Sequence, residues 1–263
     1  MGEEFSQRNL GGATFEWVDL TGASFEWVYL RSAQFSRVDF TGATFRNSLL
    51  NDVDISGEVG SLRVNGIDVV PLVDAELDRL HPERLKLRPV DADGFREAWP
   101  VIEQLWVETV ARADALDPAR LHERVDGEWS FIETLRHLCF ATDAWVRRVI
   151  LGDPSPWHPL DLPFDEMADI EGVPRDREVL PSLRDVLELR ADRMSTVATF
   201  ISRVTDEQLA GSTDPVPGPG FPDSKSFPIR EALMVILNEE WWHRRFAERD
   251  LAKLSERDAA TRD

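Results

Sequence analysis

Two periodicities divide the chain. From Phe5 a large apolar residue recurs at every fifth position: Phe5, Leu10, Phe15, Leu20, Phe25, Leu30, Phe35, Phe40, Phe45, Leu50 and Ile55. Two residues ahead of most of them stands a small or β-branched residue: Ala13, Val18, Ala23, Val28, Ala33, Val38, Ala43, Ser48 and Val53. In extended chain, positions two apart face the same way. Each unit therefore points one small and one large side chain inward. A period of five fits neither a helix nor a flat strand. The pattern predicts a solenoid over residues 1–60, short enough to need a cap. Trp17 and Trp27 occupy equivalent outward positions, where they are available to cover a neighbouring domain. Residues 61–90 read as cap, short helix and linker. Asn65–Gly66 between two β-prone triplets predicts a two-residue hairpin. Pro71 suits the first turn of a helix over Leu72–Leu80, and the charged, proline-bounded stretch 81–90 reads as a linker.

From about Asp91 to residue 255 the period becomes helical. A first helix over 92–116 runs through Trp99, Ile102, Leu105, Trp106, Thr109 and Val110, with Pro100 kinking it or marking its effective start. A polar connection, DPARLHERVDGEWS, follows. Ser130 and Glu133 form a capping box that opens a second helix to about Leu151, with core positions Phe131, Leu135, Leu138, Trp145 and Val149. Residues 152–180 hold five prolines and no period, so they predict a long crossover in place of a tight hairpin. Trp157, His158 and Phe164 in it are candidates to cover a pocket mouth. A third helix spans about 181–204, with Arg190 on its apolar stripe and expected to snorkel outward. A second Pro/Gly loop precedes the longest helix, Ile229–Leu254, and residues 256–263 read as a frayed tail. The prediction is a multidomain β + α chain: a solenoid followed by a four-helix bundle with a long crossover between helices two and three.

The candidate chemistry lies on the second and fourth of these helices. On the fourth, the stripe Ala232, Ile236, Glu239, His243, Phe246, Ala247 puts a carboxylate and an imidazole side by side, four residues apart and flanked by apolar neighbours. Such a pair is either a partly exposed helix ion pair or part of a metal site, because burying ionisable groups is costly unless they are paired or bound to a metal. On the second helix, His137 is surrounded on its own face by Thr134, Ala141 and Ala144, all small. In a bundle, His137 can converge with Glu239 and His243 at one level. Two imidazoles and one carboxylate form the donor set of a catalytic zinc site, with a fourth position left open. The same set suits nickel or ferrous iron. Glu240 is a reserve carboxylate, rotated off the stripe, and Cys139 faces away from His137 as a core thiol.

Composition narrows the function. The formal net charge is −19, which argues against binding nucleic acid through its phosphates. Residues 1–60 carry nine acidic residues against four arginines, −5 of that total, so acid is spread along the whole chain. One cysteine, Cys139, rules out an internal disulfide and a multi-cysteine zinc cluster. No signal-peptide pattern and no run of eighteen apolar residues is evident, so the expectation is a cytoplasmic protein that crosses no membrane.

The pentads ATFEW, VDLTG, ASFEW, VYLRS, AQFSR, VDFTG and ATFRN resemble the pentapeptide-repeat family. That resemblance implies a right-handed quadrilateral β-helix of a little under three coils. Some members of that family bind DNA gyrase by imitating DNA, a role that under three coils and diffuse acidity make a poor fit. The stretches GEWSFIETLRHLCFATDAW and LNEEWWHRRFAERDL resemble the two signature helices of the DinB-like superfamily. Many members carry His-x-x-x-His on the fourth helix; here the first of that pair is Glu239, as in the mycothiol-dependent maleylpyruvate isomerase branch. By position, the resemblance implies His137, Glu239 and His243 as ligands of a divalent metal. It also implies a transferase or isomerase that brings a small thiol such as mycothiol to a small electrophile. The contrasting expectation is a non-catalytic protein whose acidic repeat contacts a protein partner, braces the bundle or mediates a homodimer.

Overall fold

The computed structural model describes residues 5–57 and 59–260. It divides into two compact units, Met1–Asn51 and Asp52–Asp263.

In the first unit the five-residue period is written into the backbone. A left-handed residue recurs at Gln7, Gly12, Trp17, Gly22, Trp27, Ser32, Arg37, Gly42 and Asn47, and the series continues at Asp52. Each lies two positions after a large apolar residue, so the chain extends briefly and then turns. Every second turn is closed by a backbone bond, from the N–H of Ala13, Ala23, Ala33 and Ala43 to the carbonyl of Leu10, Leu20, Leu30 and Phe40. The carboxylates of Asp19 and Asp39 accept from the N–H of Thr21 and Thr41, and Asn9 does the same for Gly11. Short polar side chains that bond the backbone two residues on are standard turn formers.

Ladder pairing between coils is not present among the described residues of the repeat; the strands are those of the hairpin below. The in-frame residues Phe5 to Ile55 remain 44–65% exposed. Some touch along the row, as Phe35 does Phe40 with ring centroids 5.5 Å apart. The inward-facing core expected of a quadrilateral coil is therefore missing here. The turn bonds close loops within one pentad, and among the described residues no backbone bond reaches from one coil to the next to bring side-chain layers together.

The second unit opens with the expected hairpin. Strands β1 (Arg63–Val64) and β2 (Ile67–Asp68) pair antiparallel around Asn65 and Gly66, both with positive φ, 51° and 81°. Helix α1 (Val70–Leu80) follows, with Pro71 in its first turn, and a 3-10 turn (Pro82–Leu87) occupies the stretch read as linker. Four long helices make up the rest: α2 (Ala92–Asp114), α3 (Phe131–Thr142) continuing as a π-helical segment over Asp143–Ile150, α4 (Leu183–Arg203), and α6 (Ile229–Ala260). The short helix α5 (Asp206–Leu209) lies between the last two. Pro100 sits inside α2, about two turns past the start at Ala92. Helix α6 runs on through residues expected to fray, as far as Ala260; residues 261–263 lie outside the described set. Helix α2 packs against α4 and α6, and α3 packs against the same two. Their shared core includes Phe95, Ile102, Leu135, Leu138, Val197, Leu233 and Leu237.

Two buried arginines of α3 organise the loops. Arg136 donates to the carbonyls of Leu160, Asp176 and Val179 in the crossover. Arg148 donates to those of Pro154, Val216 and Gly218. Buried carbonyls need donors, and a guanidinium supplies five N–H groups in a fixed fork. Gly220, φ 155°, makes room: a Cβ there would lie 2.6 Å from Arg148 Cζ. Arg190 does not snorkel. It is buried against Glu240, with nitrogen–oxygen distances of 3.2 and 2.7 Å, and lies over the Trp106 ring. That pairing removes the reserve carboxylate from the candidate site.

Candidate metal centre

The capping box sets the register of α3. Ser130 Oγ accepts from the Glu133 N–H and Glu133 accepts from the Ser130 N–H, so the helix starts at Phe131 and His137 falls in its second turn. The four-residue spacing of Glu239 and His243 along α6 puts those two on one face. Packing of α3 on α6 brings all three together. His137 Nε2 lies 3.3 Å from Glu239 Oε2, and His243 Nε2 lies 3.1 Å from the same oxygen. One ligand atom from each residue falls within 4.8 Å of the others. His137 is buried; Glu239 and His243 are half-buried, so the group opens towards solvent on the α6 side.

The protonation pattern matters more than the distances. His137 Nδ1 lies 3.0 Å from the carbonyl of Leu162. A carbonyl only accepts, so Nδ1 carries the hydrogen and the neutral ring keeps its lone pair on Nε2, facing Glu239. Burial pushes the His137 imidazole below its ordinary range, although the Glu239 carboxylate pulls the other way. For Glu239, burial disfavours the charge. The adjacent imidazoles of His137 and His243 favour it more strongly and hold the carboxyl well below the usual carboxylate range. That stabilisation requires imidazole N–H groups, whereas the Leu162 contact turns the His137 Nε2 lone pair towards Glu239, and a cation between the two would remove the conflict. Glu239 Oε2 is buried, and although the two imidazole nitrogens lie within 3.3 Å of it, neither makes a hydrogen bond of good geometry to it. Leaving such an oxygen unsatisfied is costly. A divalent cation among the three atoms would satisfy all of them, and the donor set fits one.

Trp129 covers the imidazoles. Its ring lies 4.5 Å from that of His137 and 5.7 Å from that of His243, nearly parallel to the latter at 15°. In the sequence Trp129 falls within the polar connection DPARLHERVDGEWS, where nothing in the helical period marks it. The available signal was its place directly before the N-cap Ser130, where an apolar residue tends to fold back over the first turns of the helix. The connection is fastened to the far end of α6 by Asp126–Lys253 at 2.6 Å and Glu123–Arg257 at 2.8 Å. Trp157 and Phe164 pack with Phe140, Met167 and Phe221 in an aromatic cluster that meets His137 through Phe140, with ring centroids 6.1 Å apart. His158 Nδ1 accepts from the Leu160 N–H. Cys139 is buried, and burial pushes its thiol far above its ordinary range, which keeps it an inert core group as expected.

A second titratable cluster joins Asp143 of the π-helical segment, Asp161 of the crossover and Arg193 of α4. Asp143 and Asp161 are both fully buried, with Arg193 2.6 Å from Asp143. Burial first, and then the Asp143 charge, push Asp161 up to about 8. Burial raises Asp143 too, against the pull of Arg193. Two buried carboxyls beside one guanidinium cannot both ionise cheaply.

Comparisons with known proteins agree with this division. Residues 9–47 match pentapeptide repeats, in eight copies. No curated protein and no solved structure matches the chain. Among the described residues no helix is long and apolar enough to cross a membrane. The model of the DinB superfamily matches residues 101–247, a span that contains His137, Glu239 and His243 and more than half of the 263 residues; the chain belongs to the DinB superfamily.

Proposed function

We propose that His137, Glu239 and His243 hold a divalent metal, zinc in the first instance with nickel or ferrous iron as alternatives, and that the protein is a thiol-dependent S-transferase or isomerase acting on a small electrophile. The observation that carries the reading is Glu239 Oε2, buried with no well-formed hydrogen bond among the described residues and flanked by two imidazole nitrogens, one of them held as an acceptor by Leu162. A bound divalent cation would lower the pKa of a coordinated thiol so that thiolate forms at neutral pH. The chain's own residues do the rest. Leu162 fixes the His137 tautomer, Glu239 supplies the negative charge, and Trp129 walls one side of the imidazoles against water. The thiol, mycothiol or a similar small one, and the electrophile would enter from the half-open side formed by Glu239 and His243. In this reading the helices form a four-helix bundle.

Elemental analysis of protein purified without added metal tests the first half. Near-stoichiometric metal in the wild type and its loss in His137→Ala and His243→Ala is expected; substoichiometric metal in all three would overturn it. Thiol-transfer assays with mycothiol then separate an enzyme from an inert metal site. A second reading, a binding protein whose repeat contacts a protein partner, draws on the exposure of Trp17, Trp27 and Tyr29 on the repeat surface.

A further inference from the structure

Arg136 stands next to His137 in sequence and is 1% exposed. Its Nε donates to Leu160 O at 2.8 Å, and its terminal nitrogens reach Asp176 O and Val179 O. It makes no ion pair among the described residues, so it is a buried cation satisfied by backbone carbonyls. A proline-rich segment without regular structure has many carbonyls and few internal bonds to satisfy them. Arg136 gathers three of them from both ends of the crossover.

Leu162, two residues from the first of those carbonyls, closes a small circuit. Its N–H reaches Arg136 O at 3.4 Å, and its own carbonyl accepts from His137 Nδ1 at 3.0 Å. Leu162 is fully buried. The carbonyl that selects the His137 tautomer therefore sits on a segment whose place is set by the Arg136 fork. We infer that Arg136 is a positioning residue for the metal centre: by clamping Leu160, Asp176 and Val179 it presents the Leu162 carbonyl to His137 and so keeps the Nε2 lone pair directed at Glu239 and the cation. The inference rests on the proposed metal site. Groups that orient a ligand imidazole typically contribute ten- to a hundredfold to metal affinity.

A lysine cannot replace Arg136 in this role. It keeps the charge but has no planar fork to reach three carbonyls. Arg148 supplies the control. It too is on the continuous α3 segment, 1% exposed and bound to three carbonyls, but it secures Pro154 and the loop of Val216 and Gly218. A purely structural role would make the two arginines equivalent.

The experiment compares Arg136→Lys and Arg148→Lys with the wild-type chain. Zinc affinity is measured by chelator competition, melting temperature by circular dichroism, and the His137 tautomer in metal-free protein by nitrogen-15 NMR of the ring. The expected result is the Nδ1–H tautomer in the wild type and in Arg148→Lys, with a mixture in Arg136→Lys. Zinc affinity should fall about ten- to a hundredfold in Arg136→Lys, and less than about threefold in Arg148→Lys at a comparable loss of melting temperature. Equal losses of affinity, or an unchanged tautomer in Arg136→Lys, would overturn the inference. Should the wild type take up no zinc, the metal reading fails, and the tautomer comparison still decides the role of Arg136. Should Arg136→Lys not fold, an Nε2–H tautomer in the wild type is by itself enough to reject the proposal.

Discussion

Phe25 in the repeat unit and Leu135 in the helical unit are both large apolar residues at strictly periodic positions, yet Phe25 is 62% exposed and Leu135 0%. The difference lies in the range of the interactions. Order in the repeat is local: a left-handed residue at every fifth position and turn bonds three residues long. Order in the helical unit joins distant stretches. Thr109 donates to Glu248, Arg190 holds Glu240, and His137 faces Glu239. Periodicity alone thus makes a regular backbone. Burial requires a second surface, which α2, α3, α4 and α6 provide for one another.

The largest effect expected of breaking this contrast is at Glu240. Glu240→Ala leaves Arg190 charged and unpaired in the core, which should cost about 3–5 kcal/mol. Chemical denaturation followed at the helical signal would show it; a loss under about 1 kcal/mol would mean the pair is not buried in solution. Next comes the direct comparison. Leu135→Ala should destabilise the helical unit by about 2–5 kcal/mol. Phe25→Ala should move the same transition by less than about 0.5 kcal/mol. Similar losses from both would show that the repeat residue is part of the same packed core.

A pH series sharpens the contrast further, because only the helical unit contains deeply buried carboxyls among the described residues. Asp161, pushed up to about 8 by burial and by Asp143, keeps a proton in the folded state that the unfolded chain has released. The resulting stability is fully present below the unfolded value of about 3.9 and is lost as pH rises through the folded value. Between about pH 4 and 8 this group should lower the unfolding free energy by at most about 1.4 kcal/mol per pH unit, read as a falling melting temperature. Asp161→Asn, which imitates the neutral acid, should flatten it. A slope unchanged in the variant would reject this assignment. The smallest effect is in the repeat. Trp27 is fully exposed at φ 58°. Replacing it with glycine relieves the left-handed strain and adds freedom to the unfolded chain. The two nearly cancel, so a shift within about 0.5 kcal/mol is expected, and a large loss would reveal a contact made by that indole.

Much of this was legible in the residues because it is short-ranged. The pentad frame, the Asn65–Gly66 hairpin, the Ser130–Glu133 box and the Glu239–His243 face all depend on neighbours within five positions, where geometry follows directly from spacing. The helix starts followed for the same reason. Less visible were features decided by where separate segments meet. Arg190 looked like a snorkelling residue because its partner Glu240 lies 50 positions away. Trp129 looked like loop because its value comes from two imidazoles on different helices.

The amino-acid sequence by itself determined the two periodicities, the helix register and the identity of three possible ligands, since each follows from backbone geometry repeated along the chain. Only the tertiary structure decided which lone pair His137 presents, that Glu239 Oε2 faces two imidazoles with no well-formed hydrogen bond among the described residues, and that Arg136 and Arg148 tie down the loops. Those outcomes depend on desolvation and on carbonyls from distant segments, and no local pattern encodes either.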